Sequence, residues 1–391
     1  MSPAKSTYPN FDTREVDRWI GVPLGGGAMR DPVHANDIRR WAQGMQNPNP
    51  LYFDVDYARA SRFGGIVAPQ SFCVCTDDSH GAGPAIQGTI PGTHMLFGGD
   101  EWWFFGPRVW PGDQIRQDRM LFDYKVTETK FAGPTMFSRG DTTYINQRGE
   151  IVAKQRSTSI RYLVAEARAR AKFSEDSEPK WTDAQLEEIA NKQFEYYAEV
   201  QQRGHGKRLW KDVSERQALS ERLIGPHSIQ SFVTEWRAYN MNIWGSRRYR
   251  GISSTDDAGW LPEMTRNDNR ATVVPVLGDG LYHGPSRGHV QQRYAQLIGM
   301  PRGYGYGASM GAWILDYLQN WAGEWGQIVH SNAQYRSPAL TGDLTSLTGI
   351  VTGKEVDTTT GASLVEVQYT MMDQNESVMA RGKAKIALPT E

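Results

Sequence analysis

The sequence predicts an α+β protein in which one unit, a central helix wrapped by an antiparallel sheet, is written twice in the chain. Three observations predict it. Four stretches recur in the same order in the two halves, one helix carries a clean apolar stripe behind a glycine-rich turn, and each half closes on a hairpin of period-two strands.

The first recurrence is Pro32 to Ala42, echoed by Pro226 to Trp236, each read as a short helix that turns a tryptophan (Trp41, Trp236) inward. The second is Tyr57 to Gly64 with Tyr294 to Gly299, both followed by glycine-rich turns and a helix start. The third is Pro107 to Asp113 with Pro338 to Asp343, Gly-Asp turns that lead into alternating strands. Asp113 and Asp343 therefore read as turn residues, and less readily as a symmetrical acidic pair. In the fourth, Val365, Val367, Tyr369 and Met371 alternate with polar residues ahead of the turn Asp373 to Glu376, as the first half does around Asn146 to Glu150.

The central helix of the second half is the sharpest element. Met310, Trp313, Ile314, Tyr317, Leu318 and Trp321 fall at offsets 0, 3, 4, 7, 8 and 11, between Gly303-Tyr304-Gly305-Tyr306-Gly307 and Gly323. A matching central helix is expected in the first half, with Cys73 and Cys75 as small core residues near it. The aromatic run Trp102 to Phe105 reads as a strand. A polar stretch from about Ala165 to Lys180 leads into a linker helix that Thr182 and Gln185 open with capping-box spacing and Gly204 stops. Leu186, Ile189, Ala190, Tyr197 and Val200 are its expected buried stripe. These signals divide the chain into an N-terminal unit 1-164, a linker with helix 165-215 and a C-terminal unit 216-391. Ser246 to His283 forms a long insertion without a clear period.

Composition narrows the function. With 43 basic and 44 acidic residues the net charge is −1, which removes the electrostatic footprint of a nucleic-acid binder. No apolar stretch approaches a membrane span, and the short polar start carries no secretory signal, so a cytoplasmic protein is expected. The two cysteines sit one residue apart, and no cluster has metal-ligand spacing, so no metal is expected.

Asn49-Pro50-Leu51-Tyr52-Phe53-Asp54 through Ala58, Gly64 to Pro69, His289 six residues before Ala295, Gly299-Met300-Pro301, Tyr306-Gly307 and Pro338 to Asp343 together resemble the MaoC-like acyl dehydratases. That family includes double-hotdog (R)-specific enoyl-CoA hydratases, and the resemblance runs over about Phe11–Leu163 and Gly225–Pro389. It implies a double hotdog fold and a lyase that adds water to a 2-enoyl-CoA or removes it from a 3-hydroxyacyl-CoA. Coenzyme A enters as part of the substrate, with no separate cofactor, and a homodimer is the expected assembly.

Carried over, His289 takes the place of the acid–base histidine and Gly307 that of the oxyanion donor at the helix N-terminus. The family motif, Asp-x-Asn-Pro-x-His, departs here: Gly284 stands at the Asp position and Ser286 at the Asn position. Asp279, in the turn Gly278-Asp279-Gly280, is the nearest carboxylate in sequence to replace it, with Asp256 and Asp257 next; Ser286 or Tyr306 orienting the water is the alternative. In the first half Tyr52 stands at the His position and Asn47 at the Asp position, so this half is expected to shape an acyl tunnel without catalysing. His283 is a local competitor of His289, and Arg247 and Arg248 are candidates to meet nucleotide phosphates. The long insertion and the aromatics point to a bulky acyl group. Two other readings share the fold: a hotdog thioesterase, weakened because Asp316 is expected to face outward on the central helix, and a non-catalytic acyl-CoA-binding subunit.

Overall fold

The structure, a computed structural model, describes residues 11–28, 31–77, 81–171, 177–243 and 287–391. Helices are α1 (Arg14–Asp17), α2 (Ala35–Gly44), α3 (Val55–Ala60), α4 (Val164–Arg170), α5 (Asp183–Arg203), α6 (Ile229–Ile243), α7 (Arg287–Val290), α8 (Gln292–Leu297) and α9 (Gly307–Ala322). Strands of the first half are β1 (Pro23–Ala28), β2 (Thr93–Phe104), β3 (Arg116–Thr129), β4 (Gly133–Ile145) and β5 (Ile151–Leu163). Those of the second are β6 (Ala218–Ile224), β7 (Gln327–Tyr335), β8 (Thr345–Val356), β9 (Ser363–Met372) and β10 (Val378–Ala387).

All ten strands join one antiparallel sheet in the order β1-β3-β4-β5-β2-β7-β10-β9-β8-β6. The order reads the same from either edge once each strand is exchanged for its repeat partner, so a pseudo-twofold axis passes between β2 and β7. There Gly99 pairs with Gln334 and Trp103 with His330. The duplication thus closes its own internal dimer.

Each recurrence lands on matched structure. Trp41 and Trp236 are buried on α2 and α6, which pack together. Ala58 and Ala295 are both fully buried on α3 and α8. Asp113 and Asp343 each accept a backbone amide bond through their main-chain carbonyl, from Val33 and His227. Their carboxylates are held by Gln147 and by Gln374, which answers to it in the repeat. Both are turn residues. The Asn146 and Asp373 side chains each accept two backbone N–H groups across their hairpin turns, at 2.8–3.0 Å. Along the aromatic strand Trp102 and Phe104 face the core, Trp103 is half-buried and Phe105 is exposed.

The two halves are unequal at their centres. The second has α9, whose residues from Ala308 to Ala322 are all buried. The first has only a 3-10 segment, Gln70–Thr76, in place of the expected helix; Cys73 and Cys75 lie buried and unbridged within it. Pro69 immediately before it and the β-branched or small residues that follow favour neither a long helix nor an apolar stripe.

The linker differs in detail. Its polar start forms α4, with Ala167 packed beneath Gly299. On α5 the capping box of Thr182 and Gln185 forms and Gly204 ends the helix, as expected. Its buried residues are Ile189, Tyr196 and Val200, while Leu186 is exposed and Tyr197 only half-buried. Tyr196 wins the inward position by stacking on Tyr317 of α9, ring centroids 6.5 Å apart.

Candidate active site

The N-terminal turn of α9 is built by close approaches. Gly305 donates its amide to Ala339, and Thr341 donates back to Gly303, so the glycine-rich stretch runs as an extra ribbon beside the second half's Gly-Asp turn. A Cβ on Gly303 would stand 2.8 Å from the His289 carbonyl oxygen, and one on Gly305 would stand 3.0 Å from the Phe232 ring. On Gly307 it would stand 2.3 Å from the Phe97 Cβ. None of the three has a positive φ; glycine is required here by space and not by turn geometry.

His289 lies on the one-turn helix α7, half-buried, with its ring stacked on Tyr306 at 3.9 Å and tilted against Tyr304 at 4.3 Å. Its Nδ1 lies 2.6 Å from the Tyr304 carbonyl oxygen. A carbonyl only accepts, so Nδ1 carries the proton and, in the neutral ring, Nε2 holds the basic lone pair. The same extended ribbon therefore fixes the imidazole tautomer through Tyr304, stacks its face through Tyr306 and starts α9 through Gly307.

At that start the first intrahelical bonds run from Ser309 and Met310 to the Tyr306 carbonyl. The amides of Gly307 and Ala308 precede them and point out of the helix end, where the peptide dipoles sum to a partial positive charge. The carbonyl that holds the His289 imidazole and the N-terminal end of α9 thus share one ribbon.

Strand β2 of the first half forms the facing wall. Phe97 abuts Gly307, Leu96 packs on the cluster of Ala295, Ile298, Met300 and Tyr304, and the Tyr304 hydroxyl lies 3.5 Å from His94 Nε2. Phe97 and His94 went unnoticed in the sequence because strand pairing across the pseudo-twofold axis, and no local motif, brings them here.

The equivalent place in the first half is shut. Ala68 donates to Val109 as Gly305 does to Ala339, which puts Gln70 at the place of Gly307. Its carboxamide donates to the Ile328 carbonyl at 2.8 Å and accepts from the Ile328 amide at 2.9 Å. Tyr52 is buried, with its hydroxyl pushed up to about 12 by burial. Asn47 is tied to the Asn49 amide and the Asn320 carboxamide.

Asp316 corrects an expectation. It does not face outward: it is buried, and Ser71, itself receiving the Trp41 indole N–H, donates to its carboxylate at 2.6 Å. Because α9 is covered on every side, one step off the apolar stripe is still interior, and polar residues there pair with the first half. Burial raises the Asp316 carboxyl to about 6. The remaining sequence candidates Asp279, Ser286, His283, Arg247 and Arg248, with Asp256 and Asp257, lie outside the described residues. Among the described residues no cluster of histidine, cysteine and acidic side chains is arranged for a metal, and no helix is long and apolar enough to cross a membrane.

Solved structures share this architecture nearly end to end. A MaoC-like dehydratase matches with a TM-score of 0.60 at 16% identity, covering 95% of this chain and 99% of its own. A MaoC domain protein dehydratase from Chloroflexus aurantiacus matches at 0.54 and 12% identity over 99% of both chains. A double-hotdog protein from Mycobacterium tuberculosis matches at 0.52 and 12% identity over 94% of this chain and 95% of its own.

The chain is a double hotdog.

In sequence, residues 18–155 match the family model of the FAS1-like dehydratase domain region. A protein of Thermomonospora curvata described as an enoyl-CoA hydratase alpha subunit is 29% identical over 181 residues. That match spans 43% of this chain and 54% of the relative, so the chain covers about half the length of the relative. By sequence the matches are thus to a dehydratase region and to a protein described as a hydratase subunit, and by fold to double hotdogs.

Proposed function

We propose that this double hotdog hydrates a 2-enoyl-CoA, or dehydrates the corresponding 3-hydroxyacyl-CoA, at His289. The observation that carries the reading is the single ribbon that sets the His289 tautomer through the Tyr304 carbonyl and opens α9 at Gly307. As water oxygen bonds to the β-carbon, His289 Nε2 takes its proton and the double-bond electrons move onto the thioester oxygen. The Gly307 end of α9 holds that developing charge with amides already in place. The enolate then collapses as the same proton returns to the α-carbon, and the imidazole is neutral again.

Tyr306, stacked on the imidazole, keeps its plane aligned with the incoming water. The first half contributes the Phe97 wall and no second base, consistent with Tyr52 and Gln70 occupying its pseudo-site. A bulky acyl group, action in the cytoplasm and a homodimer belong to the same proposal, as do Arg247 and Arg248 meeting the CoA phosphates. The relative's name as an alpha subunit makes a companion chain the other assembly to look for. The buried, Ser71-bonded Asp316 does not supply the carboxylate that a thioesterase would need beside the thioester.

The test is loss of enoyl-thioester absorbance over a panel of 2-enoyl-CoAs, wild type against His289→Ala. Turnover that falls by ~10²-fold or more in the variant is expected for the loss of a general base. Release of free CoA thiol without hydration sinks the reading, and undiminished turnover in the variant removes His289 from the mechanism.

A further inference from the structure

A second acid lies beside the helix end. Glu235 on α6 is wholly shut off from solvent, and among the described residues neither of its carboxyl oxygens has a well-formed hydrogen bond. A buried carboxylate left unpaired is among the costliest groups a fold can hold, and such a group asks for an explanation. Its polar neighbour is the Ser309 hydroxyl, also fully buried and without a well-formed bond, on the first turn of α9 two residues after Gly307. The Glu235 backbone is wedged against Gly44 of α2, where a Cβ would stand 3.7 Å from the Glu235 Cα, so α6 cannot slide the carboxyl outward.

The repeat underlines the oddity. With Pro32 matched to Pro226, Glu235 falls at the place of Trp41, whose indole N–H is satisfied by Ser71. At a position that takes a tryptophan in one half, the other half buries an acid.

We propose that Glu235 is a positioning residue that leaves the α9 N-terminus able to hold the enolate oxygen only while its carboxyl carries a proton. This rests on the hydratase reading. The end of one helix offers roughly half an elementary charge, and an ionised Glu235 one turn away would claim that field for itself. An ionised Glu235 beside Ser309 and an enolate oxygen at the same helix end repel in a dry interior, so the enolate forms less readily once Glu235 ionises.

Burial holds the proton on Glu235 up to about 8. No charge facing it lowers that value among the described residues. The α9 neighbour is the Ser309 hydroxyl, the neighbouring group on the 3-10 segment is the Cys75 thiol, bonded to the Ala238 carbonyl, and α2 presents Gly44. On α6 itself Arg237 is turned onto the Trp236 ring.

The experiment compares the pH dependence of hydration in wild type and Glu235→Gln, with Glu235→Met as a second neutral variant of similar volume. It also follows the thermal midpoints of all three proteins against pH. Wild-type turnover is expected to fall about tenfold per pH unit above about 8 and to stay level in the variants. The wild-type midpoint should fall from about pH 7 to about pH 8 more steeply than that of either variant, because the folded state holds the proton longer than the unfolded chain.

An alkaline limb shared by all three proteins overturns the proposal, while the hydratase reading survives through the loss in His289→Ala. Midpoints with identical pH dependence overturn it too, since Glu235 then does not titrate where the role requires. If the wild type hydrates nothing while its midpoint still responds to Glu235, the hydratase reading fails and takes the positioning role with it.

Discussion

Gly307 must leave room for Phe97, and in the proposed reaction its bare amide also holds the enolate oxygen. Alanine there drives a methyl group into the Phe97 side chain, so Gly307→Ala should cost about 1–3 kcal/mol by overpacking and lower hydration further by tilting the helix end. Gly353→Ala is the matched comparison: nothing lies within 4 Å of its added methyl, and its stability should stay within about 0.5 kcal/mol. Urea unfolding of the two variants checks both, and equal effects would show that Phe97 gives way freely. At this scale the sequence was informative where one short segment makes the site. Gly307 and Tyr306 could be singled out because they sit together at the start of α9, and His289 because it lies a short way before them in the chain. Phe97, Glu235 and the inward turn of Asp316 were not, because each meets its partner across more than two hundred residues or across a helix face that only packing defines.

The turns show the duplication as chemistry. Asn146 and Asp373 have different side chains yet close their hairpins through the same pair of backbone N–H bonds to one oxygen. Asp373→Asn keeps that oxygen and should be close to neutral, whereas Asp373→Ala leaves two amides to water and should cost about 1–2 kcal/mol. Thermal midpoints of the two variants decide; equal losses would assign the turn's stability to its backbone alone. Elements of this kind were legible because turns, caps and stripes are written in neighbouring residues. The capping box on α5 and the limits of α9 follow the same logic. Two expectations failed: Tyr196 displaced Tyr197, and a 3-10 segment stands where a helix was expected. Tyr196 owes its place to the Tyr317 ring that α9 presents, which local spacing does not contain, whereas the 3-10 segment reflects Pro69 and the β-branched and small residues after it, a local signal that the repeat outweighed.

On the scale of the molecule, the pairing of β2 with β7 makes the two halves one sheet, and an acid sits at the seam. Asp100 on β2 is buried, accepts the Gln155 carboxamide N–H at 2.6 Å and the Tyr335 hydroxyl of the other half at 3.0 Å, and stands within 2.7 Å of where a Gly311 Cβ would be. Burial outweighs these donors and raises its carboxyl to about 7. The folded state thus favours the protonated acid, so its contribution is complete below the unfolded value of 3.8 and is lost as pH rises through about 7. The interval corresponds to at most about 4 kcal/mol, and relaxation or water entry would shrink it. Asp100→Asn keeps the size and removes the charge; its oxygen accepts from Gln155, and its NH2 donates to a Tyr335 hydroxyl turned to accept. It should therefore remove part of the fall in thermal midpoint between about pH 4 and pH 7, leaving the Glu235 share, which runs from about pH 4.5 to about pH 8. Because the acid bonds across the seam, both halves should feel the change. Calorimetry of the wild type and of the variant is expected to give one transition each, moving as a unit with pH. Two separable transitions, only one of them responding to Asp100, would mean that the sheet does not couple the halves.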